Sequence, residues 1–241
     1  MTPGDEEYSA AQMPLPLRLD KHALFATFIA GANATAVAHV AAVAARKRGD
    51  IVWLWGGAGS GKTHLLQAAC RVAHEKSASS MYLPLREWQN VHTDQLLGAE
   101  HLGLVAVDDV DAVAGKPEWE ARLFSMFNEF HGRGGLLLAA RGAPTATPFR
   151  LGDLASRAAG AIVYRLRDLD EEQQLTALLG HASRRGLELD AATARFLQSR
   201  VQRGMTELCD WLDRLDRASL AAQRRLTIPF VREVLARERA E

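Results

Sequence analysis

The chain is 241 residues long and 48% hydrophobic, enough for one large domain or a medium domain with a small companion. Lysine plus arginine and aspartate plus glutamate each number 29, which excludes a global basic field able to hold nucleic acid by counterion release. No run of about 18 apolar residues occurs, and Asp5, Glu6 and Glu7 stand where a secretory leader would be basic, so a cytoplasmic protein with no membrane partner is expected.

Residues 1–20 contain Pro3, Pro14 and Pro16 and lack a helical period, which predicts an extended arm. An Ala- and Val-rich helix is expected from about Ala34 to Arg48, capped by Asn33 and closed by Gly49. The apolar run Ile51–Trp55 reads as a strand, and it leads into Gly56-Gly-Ala-Gly-Ser-Gly-Lys-Thr63 and a helix from about Gly61 to Lys76. Further strands are expected at Ser80–Pro84, Leu104–Val107, Gly135–Ala140 and Ala161–Arg165, with a helix carrying Trp119, Leu123, Phe127 and Phe130 before the fourth. Beyond Arg167 the pattern is helical throughout: Glu171 to Arg185, Ala191 to Arg203, Met205 to Leu220 and Pro229 to Arg239. Cys70 and Cys209 lie within helical apolar patterns with no metal or redox spacing, and read as buried thiols.

Short apolar strands alternating with helices predict an α/β fold, a parallel sheet flanked by helices and followed by a small all-α domain. The boundaries read as an arm over 1–20, a core over 21–167 and a helical unit over 168–241.

The segment from Gly56 to Thr63, between a strand and a helix, is a phosphate-binding loop. Its glycines let successive backbone N–H groups turn inward, and the helix start adds its positive end. Gly57, Ala58, Gly59, Ser60, Gly61, Lys62, Thr63 and His64 are therefore candidates for holding a polyphosphate, with Lys62 reaching the outer phosphates. The third strand ends in Asp108 and Asp109, which a parallel sheet carries to the same edge as the loop. Thr63 and Asp108 are candidates to hold Mg2+, and Asp109 to orient the attacking water. ADP or ATP with Mg2+ is the expected ligand.

With these motifs in place, the sequence resembles the DnaA branch of the AAA+ family over nearly its whole length, specifically the branch's regulatory homologues. Phe25-Ala-Thr-Phe28 with Gly31 and Asn33 resembles the segment leading to the adenine pocket, and Leu154-Ala-Ser-Arg157 matches the stretch whose arginine acts on a neighbouring subunit's nucleotide. The segment from Leu166 to Gly186 resembles the opening of the family's lid, and Leu212 to Phe230 the C-terminal end of the regulatory branch. The resemblance implies an AAA+ P-loop core with an α-helical lid, and Arg157 as a catalytic finger supplied to a partner. Gln12-Met-Pro-Leu-Pro-Leu17 is similar to peptides that bind the sliding clamp, with Gln12, Met13, Leu15 and Leu17 as the contacts and the prolines holding the peptide extended.

The implied function is negative regulation of replication initiation: an adaptor that binds the DNA polymerase III sliding clamp (beta subunit) and stimulates ATP hydrolysis by DnaA. Its own ATPase would be weak or absent, and a homo-oligomer is possible because such cores associate head to tail. The alternative is an autonomous AAA+ ATPase that loads or remodels replication or transposition proteins. Two positions depart from the family pattern: Arg141 stands where this branch often has an acid, and Thr206 where the lid usually supplies an arginine. Arg141 either compensates from the core side or is a solvated side chain. From Glu171 onward there are 12 arginines and 11 acids, so no basic surplus suggests direct sequence-specific DNA binding.

Overall fold

Five strands form one parallel sheet in the order β2-β3-β4-β1-β5: β1 (Ile51–Trp55), β2 (Ser80–Pro84), β3 (Leu104–Asp108), β4 (Gly135–Ala140) and β5 (Ile162–Arg165). This computed structural model describes residues 19, 23–88, 92–201 and 204–238. The central strands are buried on both faces, as continuous Val and Leu runs require. Helices α1 (Ala34–Ala44) and α2 (Lys62–Glu75) cover one face, where Val40, Val43, Leu65, Leu66 and Ala69 meet Val52, Leu54, Leu137 and Ala139. On the other face, α4 (Pro117–Phe130) and α5 (Gly152–Ala159) bring Trp119, Leu123, Met126, Phe127 and Leu154 against Trp53, Val105, Val107 and Leu138. A short helix, α3 (Leu85–Trp88), follows β2 directly.

The chain then enters α6 (Glu171–Arg184), α7 (Ala191–Arg200), α8 (Met205–Ala222) and α9 (Ile228–Glu238). These four helices have their own core of Leu175, Leu178, Leu197, Leu208, Leu212, Leu215, Phe230 and Val231. Asp170 starts α6 with a reciprocal capping box to Gln173, and Asp190 caps α7 through the Thr193 N–H. No helix among the described residues is long and apolar enough to cross a membrane.

The first helix departs from expectation at both ends. It stops at Ala44, four residues short of Arg48, because Arg46 takes a left-handed conformation (φ 55°) and Lys47 N–H bonds back to Ala42 O. Asp50 holds the returning chain, accepting from His39 Nε2 (2.8 Å) and from Arg48, while His39 Nδ1 meets the Tyr164 hydroxyl on β5. Asn33 does not cap the helix with its side chain. Cys70 is buried and its thiol pushed up to about 12 by burial, whereas Cys209 is only half-buried.

A buried carboxylate fixes the approach to α5. Glu120, 1% exposed, accepts from the N–H groups of Gly115 (2.6 Å), Arg150 (3.0 Å) and Leu151 (2.7 Å). Burial raises its pKa, but the three backbone donors outweigh that and hold it below its ordinary 4.5. Because the folded pKa lies below the unfolded one, the stabilisation is present above pH 4.5 and is lost as pH falls through the folded value. Glu120→Gln keeps the shape but removes the charge and turns one acceptor into a donor. It should lower unfolding stability by about 1–3 kcal/mol at neutral pH, and the difference from the native chain should shrink in acid, as measured by urea titration across pH.

Candidate nucleotide-binding site

The loop after β1 sits at the carboxyl edge of the sheet, where open α/β sheets form their ligand crevices. Gly61 precedes α2 in a left-handed conformation (φ 92°), and a Cβ there would lie 2.4 Å from Phe28 Cε2. Only glycine meets both demands. Lys62, 9% exposed, donates through its ammonium to Gly56 O (2.8 Å) and Gly57 O (2.7 Å), with Ser60 Oγ at 3.4 Å. Burial lowers its pKa, and Asp108, Asp109, Asp111 and Asp168 act against that shift. Incoming phosphate oxygens would take over the hydrogen bonds that the loop carbonyls now receive.

Thr63 and Asp108 come together: the Thr63 hydroxyl donates to Asp108 Oδ2 at 2.6 Å, and Tyr82 donates to the same oxygen at 2.9 Å. Asp108 is 3% exposed, and burial raises its pKa. A hydroxyl and a carboxylate oxygen adjoining a phosphate loop form a donor set suited to Mg2+. Asp109 adopts a left-handed backbone (φ 52°), and Arg86 grips both its oxygens, Nε to Oδ2 at 2.9 Å and Nη2 to Oδ1 at 3.2 Å. Arg86 was not foreseen, and its signal lay in the sheet register: Pro84 pairs with Asp108, so two residues later the chain stands beside Asp109.

His64 points away from the loop crest and donates through Nε2 to Leu24 O at 2.8 Å, with its ring edge-on to Phe28. Gly57, Ala58 and Gly59 form the crest. The start of α8 lies against it: a Cβ on Gly59 would be 3.1 Å from Thr206 Oγ1, 3.2 Å from Thr206 N and 3.3 Å from Met205 N. The lid thus reaches the loop with a hydroxyl and backbone N–H groups at the position where the sequence lacks an arginine.

Positive charge instead gathers on the core. Arg141, Arg165 and Arg167 line a cavity of about 370 Å3 with Trp55, Gly56, Gly57 and Asp168. Arg165 lies over the Trp55 ring, 5.1 Å from its centroid, and the Arg141 N–H donates to Asp111 Oδ1. The register explains the grouping, since Trp55 pairs with Ala140 on one side and Arg165 on the other.

Arg157 is elsewhere. It is exposed in the last turn of α5, which returns the chain to the amino edge of the sheet. There it lines a second cavity, of about 440 Å3, with Gly49, Asp50, Ile51, Phe127 and His131. One strand length, about 16 Å, separates that edge from the phosphate loop. Gln12, Met13, Leu15 and Leu17 lie outside the described residues.

Residues 19–158 match the family model of the bacterial DnaA ATPase domain, and residues 170–235 that of the Hda lid domain. Among solved structures, domain III of the Thermotoga maritima initiator DnaA is similar at 22% identity and a TM-score of 0.79, over 90% of this chain and 97% of that one. AMPPCP-bound DnaA from Aquifex aeolicus is similar at 21% identity and a TM-score of 0.66, over 80% of this chain and 64% of that one. The Thermotoga maritima RuvB Holliday junction branch migration motor shares the fold at 16% identity and a TM-score of 0.57, over 84% of this chain and 68% of that one. The phosphate loop at the carboxyl edge, the sheet order and the helical lid agree with these matches: the chain belongs to the bacterial DnaA ATPase-domain family of AAA+ proteins and carries a lid of the Hda type.

Proposed function

We propose that the chain is a cytoplasmic, nucleotide-bound negative regulator of replication initiation that stimulates ATP hydrolysis by DnaA. The observation that carries this reading is the position of Arg157, exposed at the amino edge, a full strand length from the chain's own phosphate loop. An arginine there cannot serve its own nucleotide. It suits a nucleotide presented by a neighbouring AAA+ core, where a guanidinium placed against the transferring phosphoryl group accelerates hydrolysis by about 10³- to 10⁵-fold.

In this reading the chain's own loop holds ADP or ATP through Gly57–Thr63, with Lys62 on the outer phosphates. Mg2+, when bound through Thr63 and Asp108, would neutralise phosphate charge. The ion pair that Arg86 makes with Asp109 opposes use of that carboxylate to orient water, which favours binding over rapid turnover. Residues Gln12, Met13, Leu15 and Leu17 would tether the protein to the β sliding clamp, bringing it to newly replicated DNA.

Lys62→Ala should weaken ADP and ATP binding at least about tenfold in calorimetry, as expected for losing a charged phosphate contact. Fast ATP turnover by the isolated native chain, abolished in Lys62→Ala and in Asp109→Asn, would instead support an autonomous ATPase. Arg157→Ala should bind nucleotide normally yet lose at least about a hundredfold of its stimulation of DnaA, measured as phosphate release from DnaA–ATP. A chain with Gln12, Leu15 and Leu17 all changed to Ala should fail to co-purify with the clamp; undiminished clamp binding would refute the tether.

A further inference from the structure

Residues 25–33 touch both the phosphate loop and the lid. At one end, the Phe28 ring sits where a side chain on Gly61 would be, and just before the segment Leu24 O accepts from His64 Nε2 at 2.8 Å. At the other end, Asn33 is 5% exposed and pairs with the backbone of Arg167, 134 residues later. Its Oδ1 accepts from the Arg167 N–H at 2.8 Å, and its Nδ2 donates to Arg167 O at 2.9 Å. Gly31 comes equally close to the lid, since a Cβ there would be 3.0 Å from Gln173 Nε2 and 3.1 Å from Oε1. Gln173 is the capping-box residue of α6.

Sheet pairing ends one residue before this contact, where the Leu166 N–H donates to Trp55 O at 2.7 Å. From Arg167 to the first turn of α6, the linker has no strand beside it. A side-chain amide presents an N–H donor and an acceptor oxygen on one side, as a strand residue does, so Asn33 pairs with both backbone polar groups of Arg167. Asn33 stands in for one residue of a missing strand. The lid helices follow that point in the chain, and the start of α8 lies against Gly59.

We propose that Asn33 is a positioning residue for the nucleotide site: through its paired hydrogen bonds to Arg167, residues 25–33 act as a strap coupling occupancy of the phosphate loop to the placement of Thr206 over Gly59. The proposal rests on the nucleotide-binding reading above. The mechanical path is short. A nucleotide that orders the start of α2 also orders Phe28 and Leu24, and the strap carries that order through Asn33 to the linker.

The test is hydrogen exchange of the full chain with and without Mg-ADP, read separately at the first turns of α2 and α8, together with ADP affinity. In the native chain ADP should protect both turns. In Asn33→Ala it should protect α2 but no longer α8, and ADP should bind about tenfold more weakly, the cost of two lost hydrogen bonds. A role confined to general stability would not separate the two turns. Asn33→Asp gives a reversible version, because the protonated acid can still donate to Arg167 O whereas the carboxylate faces that carbonyl. ADP-dependent protection of α8 in Asn33→Asp should therefore be greater below the acid's pKa than above it. Equal ADP protection of α8 in the native chain and Asn33→Ala, or no pH dependence in Asn33→Asp, overturns the strap alone. Absence of ADP protection at α2 in the native chain overturns the nucleotide reading, and the strap with it.

Discussion

The nucleotide end of the molecule depends on one close approach, the Phe28 ring against the backbone of Gly61. Any side chain at residue 61 would have to share space with that ring, and the left-handed backbone there would disfavour it independently. The approach does two things. It seats the strap on the first turn of α2, and it leaves no room for a side chain at residue 61 between the loop and that strap.

A parallel sheet imposes a second constraint, which divides function between two edges. Every crossover helix starts at the carboxyl edge and ends at the amino edge, so residues after strands and residues ending helices lie a strand length apart. The phosphate loop and Asp109 follow strands and Asp108 ends one, whereas Arg157 lies in the last turn of α5. In the proposed function the nucleotide is held at one edge, and the arginine offered to a partner stands at the other. This topology makes a trans-acting arginine natural, and no adjustment of loops could bring Arg157 to the chain's own loop without unpacking α5 from α4.

The fold was largely legible because its strands are continuous apolar runs: Ile51–Trp55, Ser80–Pro84 and Gly135–Ala140 begin and end where composition changes. The phosphate loop was equally plain, being contiguous. What escaped was non-local. Asn33, placed just before an apolar helix, satisfies the local rule for a cap, yet its amide is committed to a backbone more than a hundred residues away. Arg86 on Asp109 and Arg165 over Trp55 follow from strand register, which neither periodicity nor composition specifies. The end of α1 was missed for a related reason: Asp50 draws the chain back with His39 and Arg48, so Arg46 accepts the left-handed conformation that glycine usually takes.

The distribution of charge around the loop bears on how the lid is held. Had α8 carried a cation at Thr206, nucleotide phosphates would draw the lid shut by direct Coulomb attraction, an interaction worth several kcal/mol in a partly dry site. Among the described residues, the start of α8 meets Gly59 with the Thr206 hydroxyl and backbone N–H groups, while Lys62, Arg141, Arg165 and Arg167 belong to the core side. Dipoles attract phosphate more weakly and over shorter range than a full charge. On the proposed reading, lid placement depends more on the linker than on the ligand's charge, and the amide of Asn33 on Arg167 ties that linker to the core. A hydroxyl at Thr206 and a hydrogen-bonded strap then belong to one proposed arrangement, in which lid placement follows the order of residues 25–33 more than the charge of the ligand.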